Sequence, residues 1–180
     1  MSEYPFLFPD NTVLCNFAAV ERLDLLSKVL DGRGRWTEAV AREARRSARL
    51  LPALQDLSWQ GWLGDPIPIG NREDTDRILS IRTAVFGGAA NRPSQHLGEA
   101  QTCHIIKNWA EFAESCWISD DRESLDYARR EDIHTAETRD VVKWAVKAGL
   151  ITAQDGFGLM QRMRDEGRHP RMPQSAAALA

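Results

Sequence analysis

Pro5-Phe-Leu-Phe-Pro9-Asp10 and Ser115-Cys-Trp-Ile-Ser119-Asp120-Asp121 decide the reading of the fold. Each is a short apolar run that ends in a carboxylate. A strand with one solvated face alternates apolar with polar residues; a run without alternation is buried on both faces, as in a parallel sheet covered by helices. Around these two runs the chain alternates short extended segments with helical patterns. Further strands are predicted at 35–37 and 133–135, and a loop or edge strand at 58–71, where Ile67 and Ile69 alternate with prolines. Helices are predicted from Asn11 to Phe17 and over 21–30, 38–51, 72–86, 97–109, 122–130, 139–148 and 152–167. Leu23, Leu25, Leu26, Val29 and Leu30 line one face of the second, and Ile78, Leu79, Ile81 and Val85 are assigned inward on the fourth. Gly149 stops the penultimate helix. The pattern predicts an α/β fold: a three-layer α/β/α sandwich with a short, mainly parallel sheet. In such sheets ligands bind beyond the carboxyl ends of the strands, where Asp10 and Asp120-Asp121 stand.

Composition sets the outer limits. The chain has 180 residues, 43% hydrophobic and 27% charged, enough to bury one core. One domain over 1–170 and a flexible tail over 171–180 are expected. No apolar run reaches the roughly 18 residues of a membrane span, and Met1-Ser2-Glu3-Tyr4-Pro5 has no basic region before an apolar stretch, so a cytoplasmic protein without a leader is expected. Cys15, Cys103 and Cys116 are odd in number and widely spaced, against a disulfide framework or a zinc site. The net charge is −3, from 23 Lys and Arg against 26 Asp and Glu, so any nucleic-acid site must be a local basic rim. The His residues show no ligand spacing, although His96 is near Glu99. No GxxxxGK[ST], GxGxxG or GxSxG is present, which counts against a nucleotide-binding phosphate loop and a serine hydrolase of the elbow type.

The carboxylates are the chemistry-bearing residues. Asp10 and Asp120-Asp121 converge at one sheet edge despite their separation in sequence, and Glu43 and Glu99 lie on helices that can join them. Carboxylates brought together resist ionising side by side. A hard divalent cation, Mg²⁺ or Mn²⁺, resolves the conflict, because it takes oxygen ligands and stabilises charge on a phosphoryl group. Each acid also has an ordinary explanation: a helix cap for Asp10 and for one of the doublet, ion pairing with Arg46 for Glu43, a favourable helix dipole for Glu99.

These residues carry a resemblance. Asp10-Asn-Thr-Val-Leu-Cys-Asn-Phe17 after an aliphatic strand resembles the opening motif of PIN-domain nucleases, an Asp with a Ser or Thr two residues on. Thr37-Glu-Ala-Val-Ala-Arg-Glu43 resembles their second acidic motif, Leu97-Gly-Glu-Ala100 the third, and Cys116-Trp-Ile-Ser-Asp-Asp-Arg122 the fourth. The order and spacing are similar from residue 5 to 168, in the manner of a subgroup with extended C-terminal helices. The segment 56–93, with Trp59 and Trp62, falls outside the four motifs.

The resemblance implies a metal-dependent ribonuclease with Asp10, Glu43, Glu99 and Asp120 catalytic. Mg²⁺ or Mn²⁺ would be held by Asp10, Glu99, Asp120 and Asp121, with Thr12 and Ser119 supporting. The doublet leaves the ligand open, and Asp120 is favoured because it directly follows the strand. Glu38 competes with Glu43, but Glu43 falls where the family's acid does. Arg46 and Arg122 are the candidate RNA-binding residues. Many relatives are toxins silenced by a small antitoxin protein, so RNA and an antitoxin are the implied partners. A homodimer through Trp144, Phe157, Leu159 and Met160 is a further expectation, the alternative being that these residues close the domain's own core. Two other readings stay open: a catalytically inactive PIN-like protein-binding module, and a metal-dependent nuclease acting on DNA or flaps.

Overall fold

The computed structural model describes residues 4–180; the reading of Met1-Ser2-Glu3 as free of a leader lies outside them. Both deciding runs are strands. β1 (Leu7–Pro9) and β2 (Cys116–Ile118) pair in parallel, with Leu7 opposite Cys116 and Pro9 opposite Ile118. β3 (His134–Ala136) adds in parallel to the other side of β2. The rest is helical: α1 (Asn11–Ala19), α2 (Leu23–Leu30), α3 (Glu38–Ser47), α4 (Leu57–Gln60), α5 (Arg72–Ala84), α6 (Leu97–Asn108), α7 (Arg122–Arg130), α8 (Thr138–Lys147) and α9 (Ala153–Asp165). The protein is thus mixed α/β with a short parallel sheet.

The strands are buried on both faces, as their lack of alternation requires. Leu7, Cys116 and Ile118 enter a core with α1, α2, α3, α8 and α9. Phe8 and Trp117, pointing the other way, enter a second core with Cys103, Ile105 and Ile106 of α6, Ala128 of α7, and Phe112. Trp117 is 0% exposed; burying a side chain of that size, ~200 Å², is worth about 5 kcal/mol. No helix among the described residues is long and apolar enough to cross a membrane.

Several sequence expectations are corrected. Residues 35–37 form no strand: Gly34 bridges Leu7 and Thr37 bridges Ile67, each as an isolated parallel contact. Arg33 and Arg35 bracket Leu7, the Leu7 amide donating to the Arg33 carbonyl and the Arg35 amide to the Leu7 carbonyl, both at 2.9 Å. Gly34 cannot be larger, since a Cβ there would lie 2.8 Å from the Trp62 carbonyl. α3 ends at Ser47 rather than Leu51, and a 3-10 turn follows at Pro52–Leu54. On α5 only Ile78 and Arg82 are buried; Leu79 and Val85, assigned inward, are exposed because α5 packs chiefly on α6. Arg82 takes the inward place and donates to the carbonyls of Ala89, Arg92 and Gln95, holding the 87–95 loop. Within the last ten residues a turn at Ala176–Leu179 packs on α8 and α9 and buries Leu179. Leu159 and Met160 are core residues of the single chain, and Trp144 and Phe157 pack against that core.

The bridges reveal the winding order. Across the sheet the extended segments run Ile67, Thr37/Gly34, β1, β2, β3. After β1 the chain builds outward on one side, then returns to place β2 on the other. The strand order therefore reverses between β1 and β2, the place where open α/β sheets form a crevice at the carboxyl edge.

Candidate active site

Asp10 is the first residue past β1 and sits in that crevice. Its amide donates to the Ile118 carbonyl at 2.8 Å, extending the ladder to β2. It occupies the N-cap position of α1, yet its carboxylate makes no cap hydrogen bond. Instead Asp10 Oδ2 accepts from Thr12 Oγ1 at 2.8 Å and Ser119 Oγ at 3.4 Å. Both residues expected to support the site therefore touch it. Asp10 is 5% exposed. Burial and then the charge of Glu99 raise its pKa from 3.8 to about 6, with the Thr12 hydroxyl opposing.

Glu43 and Glu99 reach the same place from α3 and α6. Burial, then Asp10 and then Glu99, push the Glu43 carboxyl from 4.5 to about 8, while Arg46 and the Gly98 amide pull it down. Glu43 thus holds its proton to higher pH than Asp10 does. α3 and α6 approach closely because residue 98 is glycine. A Cβ there would lie 3.1 Å from Val40 Cγ2 and 3.2 Å from both Glu43 carboxylate oxygens. One residue on, Glu99 Oε1 meets His96 Nδ1 at 3.1 Å. His96 begins α6 in the left-handed region, φ 58°. Glu38, the competitor of Glu43, points elsewhere and pairs with Arg42 at 3.5 Å.

Asp120 and Asp121 are placed differently. Asp120 Oδ1 accepts from the Thr138 amide at 2.9 Å. Its Oδ2 accepts from Thr138 Oγ1 at 2.6 Å and Asn16 Nδ2 at 2.7 Å. Burial raises its pKa, the Thr138 and Asn16 bonds lower it, and Asp140 is the carboxylate that acts on it. Asp121 caps α7, accepting from the Ser124 amide at 3.3 Å and from the Ser124 hydroxyl. The structure thus couples Asp10, Glu43 and Glu99 electrostatically, and binds Asp120 and Asp121 to polar neighbours. Among the described residues, no group of three or more His, Cys, Asp or Glu is arranged to hold a metal ion as it stands.

Arg46 and Arg122 are exposed on the rim. Arg46 Nη1 donates to Ser94 Oγ at 3.0 Å. Arg122 does not pair with Asp126, which Arg129 takes at 3.1 Å. Trp59 is 90% exposed.

Sequence reasoning passed over Asn16, Gly98, Thr138 and Arg168. Asn16 is 3% exposed and donates to both Asp120 and Thr138 Oγ1. Its signal was an amide in the apolar run Val13–Phe17, since a buried polar residue marks a partner. Arg168, past the end of α9, donates from Nε to Asn16 Oδ1 at 3.0 Å; no local pattern announces that contact.

No protein-family model, curated protein or solved structure matches the chain.

Proposed function

We propose that this chain is a Mg²⁺- or Mn²⁺-dependent endoribonuclease of three-layer α/β/α, PIN-like build, acting in the cytoplasm as the toxin of a toxin–antitoxin pair. One observation carries the reading: at the reversal of strand order the pKa values of Asp10, just past β1, and Glu43 of α3 are both raised, with Glu99 of α6 among the charges that act on each. Placing such charges together costs stability unless a cation or a reaction uses them. The donors suit a hard cation. Mg²⁺ is commonly held by one or two carboxylates plus water and substrate phosphate rather than by a closed protein cage, so Asp10 and Glu99 would suffice, with Glu43 beside them. Such an ion supplies a lowered water pKa and neutralises charge developing on a phosphoryl group. Thr12 and Ser119 orient Asp10; Gly98 gives Glu43 its place; Arg46 offers a guanidinium to phosphate oxygens at the rim.

The test is cleavage of a labelled single-stranded RNA with Mn²⁺, repeated with EDTA and with Asp10→Asn. The expected result is cleavage that requires both the metal and Asp10, while the variant melts as a folded protein. Full activity in Asp10→Asn would sink the assignment, and a DNA panel in the same assay decides the sugar.

A second reading has its own observation. Asp120 is committed to Asn16 and Thr138, as suits an inactive PIN-like module that binds protein. That reading expects neither cleavage nor a rise in melting temperature with Mn²⁺, whereas a native-state metal site requires such a rise.

A further inference from the structure

We propose that a second anion subsite, formed by Arg139, Lys143 and Arg171, holds a backbone phosphate of the nucleic-acid strand whose scissile phosphate lies at the carboxylates. This rests on the nuclease reading above.

The segment after α9 crosses the carboxyl edge of the sheet. At one end Arg168 Nε bonds Asn16, itself bonded to Asp120. Three residues on, Arg171 Nη1 lies 4.0 Å from Glu137 Oε2, just past β3. Three residues span at most about 11 Å, so the segment joins the neighbourhood of the carboxylates to a second location close by. There Glu137, 5% exposed, holds Arg139 Nη2 at 2.7 Å. A cavity of about 410 Å³ opens beside them, with Arg139, Asp140, Lys143, Arg171 and Gln174 in its lining.

This cavity sets three cationic side chains against one carboxylate, Asp140, of its own lining. Each guanidinium offers five N–H groups and the ammonium three. The Asp140 carboxylate already accepts from the Glu137 amide at 2.9 Å. Glu137 is shared between two guanidinia, and Arg171 is beyond hydrogen-bond distance of it. Lys143 forms no ion pair among the described residues. Glu137 therefore fixes the two Arg side chains without exhausting them. The remaining donors suit a compact anion with several oxygen acceptors, and planar guanidinia are suited to phosphate. Arg168 is bonded to Asn16 and through it to Asp120, so cations recur along the segment that runs from Asp120 to this cavity. That placement favours a strand carrying successive phosphates over a single free ion.

The test measures binding apart from catalysis. Fluorescence anisotropy of a fluorescein-labelled oligouridylate, about 12 nucleotides long, is followed in EDTA over a KCl series. Wild type is compared with the double variant Lys143→Ala/Arg171→Ala, whose melting curve is recorded alongside. Loss of the one phosphate contact should flatten the slope of log K against log salt by about 0.7 and weaken binding roughly fivefold at 0.1 M salt. An unchanged slope and affinity in a folded variant overturns the subsite. So does a wild type that binds inorganic phosphate or an acidic peptide at these residues and no oligonucleotide. Mn²⁺ cleavage by the same wild-type sample separates the two ideas. Cleavage with an unchanged slope in the variant removes the subsite and leaves the nuclease. A flattened slope without any cleavage keeps the subsite and removes the nuclease.

Discussion

Glu43→Gln should stabilise this protein at alkaline pH and leave it nearly unchanged in acid. Burial and its two acidic neighbours raise the Glu43 pKa from 4.5 to about 8. An acid whose folded pKa lies above its unfolded one binds more protons when folded, so it favours the fold below the unfolded pKa and loses that advantage as pH rises toward the folded one. Linkage with those two values costs about 4.4 kcal/mol at pH 8 and about 0.8 at pH 5, a difference of ~3.5 kcal/mol. Glu43 keeps some contact with solvent, which screens its neighbours, so about 2 kcal/mol is the working expectation. Gln keeps the shape and a carbonyl oxygen for the Gly98 amide, and removes the charge. For a chain of this length, melting should rise by about 4–8 °C at pH 8. Urea unfolding of both proteins at pH 5 and pH 8, without metal, measures it directly. A variant less stable at pH 8, or shifted equally at both pH values, would refute the placing of Glu43 among charged neighbours.

Other outcomes follow from the same contacts. Gly98→Ala places a methyl 3.2 Å from the Glu43 oxygens; thermal melts should show a loss of about 1–2 kcal/mol, with RNA cleavage reduced as Glu43 is displaced. Asn16→Asp sets a second carboxylate 2.7 Å from Asp120 Oδ2, with the Arg168 guanidinium on its other oxygen; unfolding at pH 8 should show a loss of about 3 kcal/mol, much of it recovered near pH 4. The stabilisation given by Mn²⁺ should grow from pH 5 to pH 8, since the cation displaces protons from Asp10 and Glu43; melts with and without EDTA across that range check it, and a pH-independent shift would point to ligands elsewhere.

What the sequence made legible follows physical rules that act locally. The lack of alternation in residues 5–9 and 115–119 announced strands buried on both faces, as in a parallel sheet. Asp10 was legible because it directly follows a strand, and Glu43 through the resemblance of Thr37–Glu43 to the second acidic motif. The strand at 35–37 was not, because whether Gly34 and Thr37 pair over one residue or three depends on Trp62 and Ile67, which arrive from a distant loop. The inward assignment of Leu79 and Val85 assumed a helix covered along its length, whereas α5 turns those residues to solvent and buries an arginine instead. The turn in the tail was not legible for a related reason: Ser175-Ala-Ala-Ala-Leu-Ala180 has little to drive folding by itself, and the buried place of Leu179 is made by α8 and α9.

The division of labour among the acids has the same origin. Position after a strand brings Asp10 and Asp120 to one edge, but the partners waiting there set their chemistry. Asp120 meets an amide, a hydroxyl and a carboxamide, enough donors to keep a buried carboxylate satisfied without a cation. It thereby fastens the end of β2 to α1 and α8, and through Asn16 to Arg168. Asp10 meets two hydroxyls and two further acids, so the unresolved charge, and with it the expected reaction, concentrates on Asp10, Glu43 and Glu99. Arg168 belongs to both parts: it steadies Asn16 beneath Asp120 and stands beside the crevice. Loss of its guanidinium would therefore loosen the frame and remove a cation from the proposed path of the strand together, which is why Lys143 and Arg171, whose contacts stay outside that frame, are the cleaner test of that path.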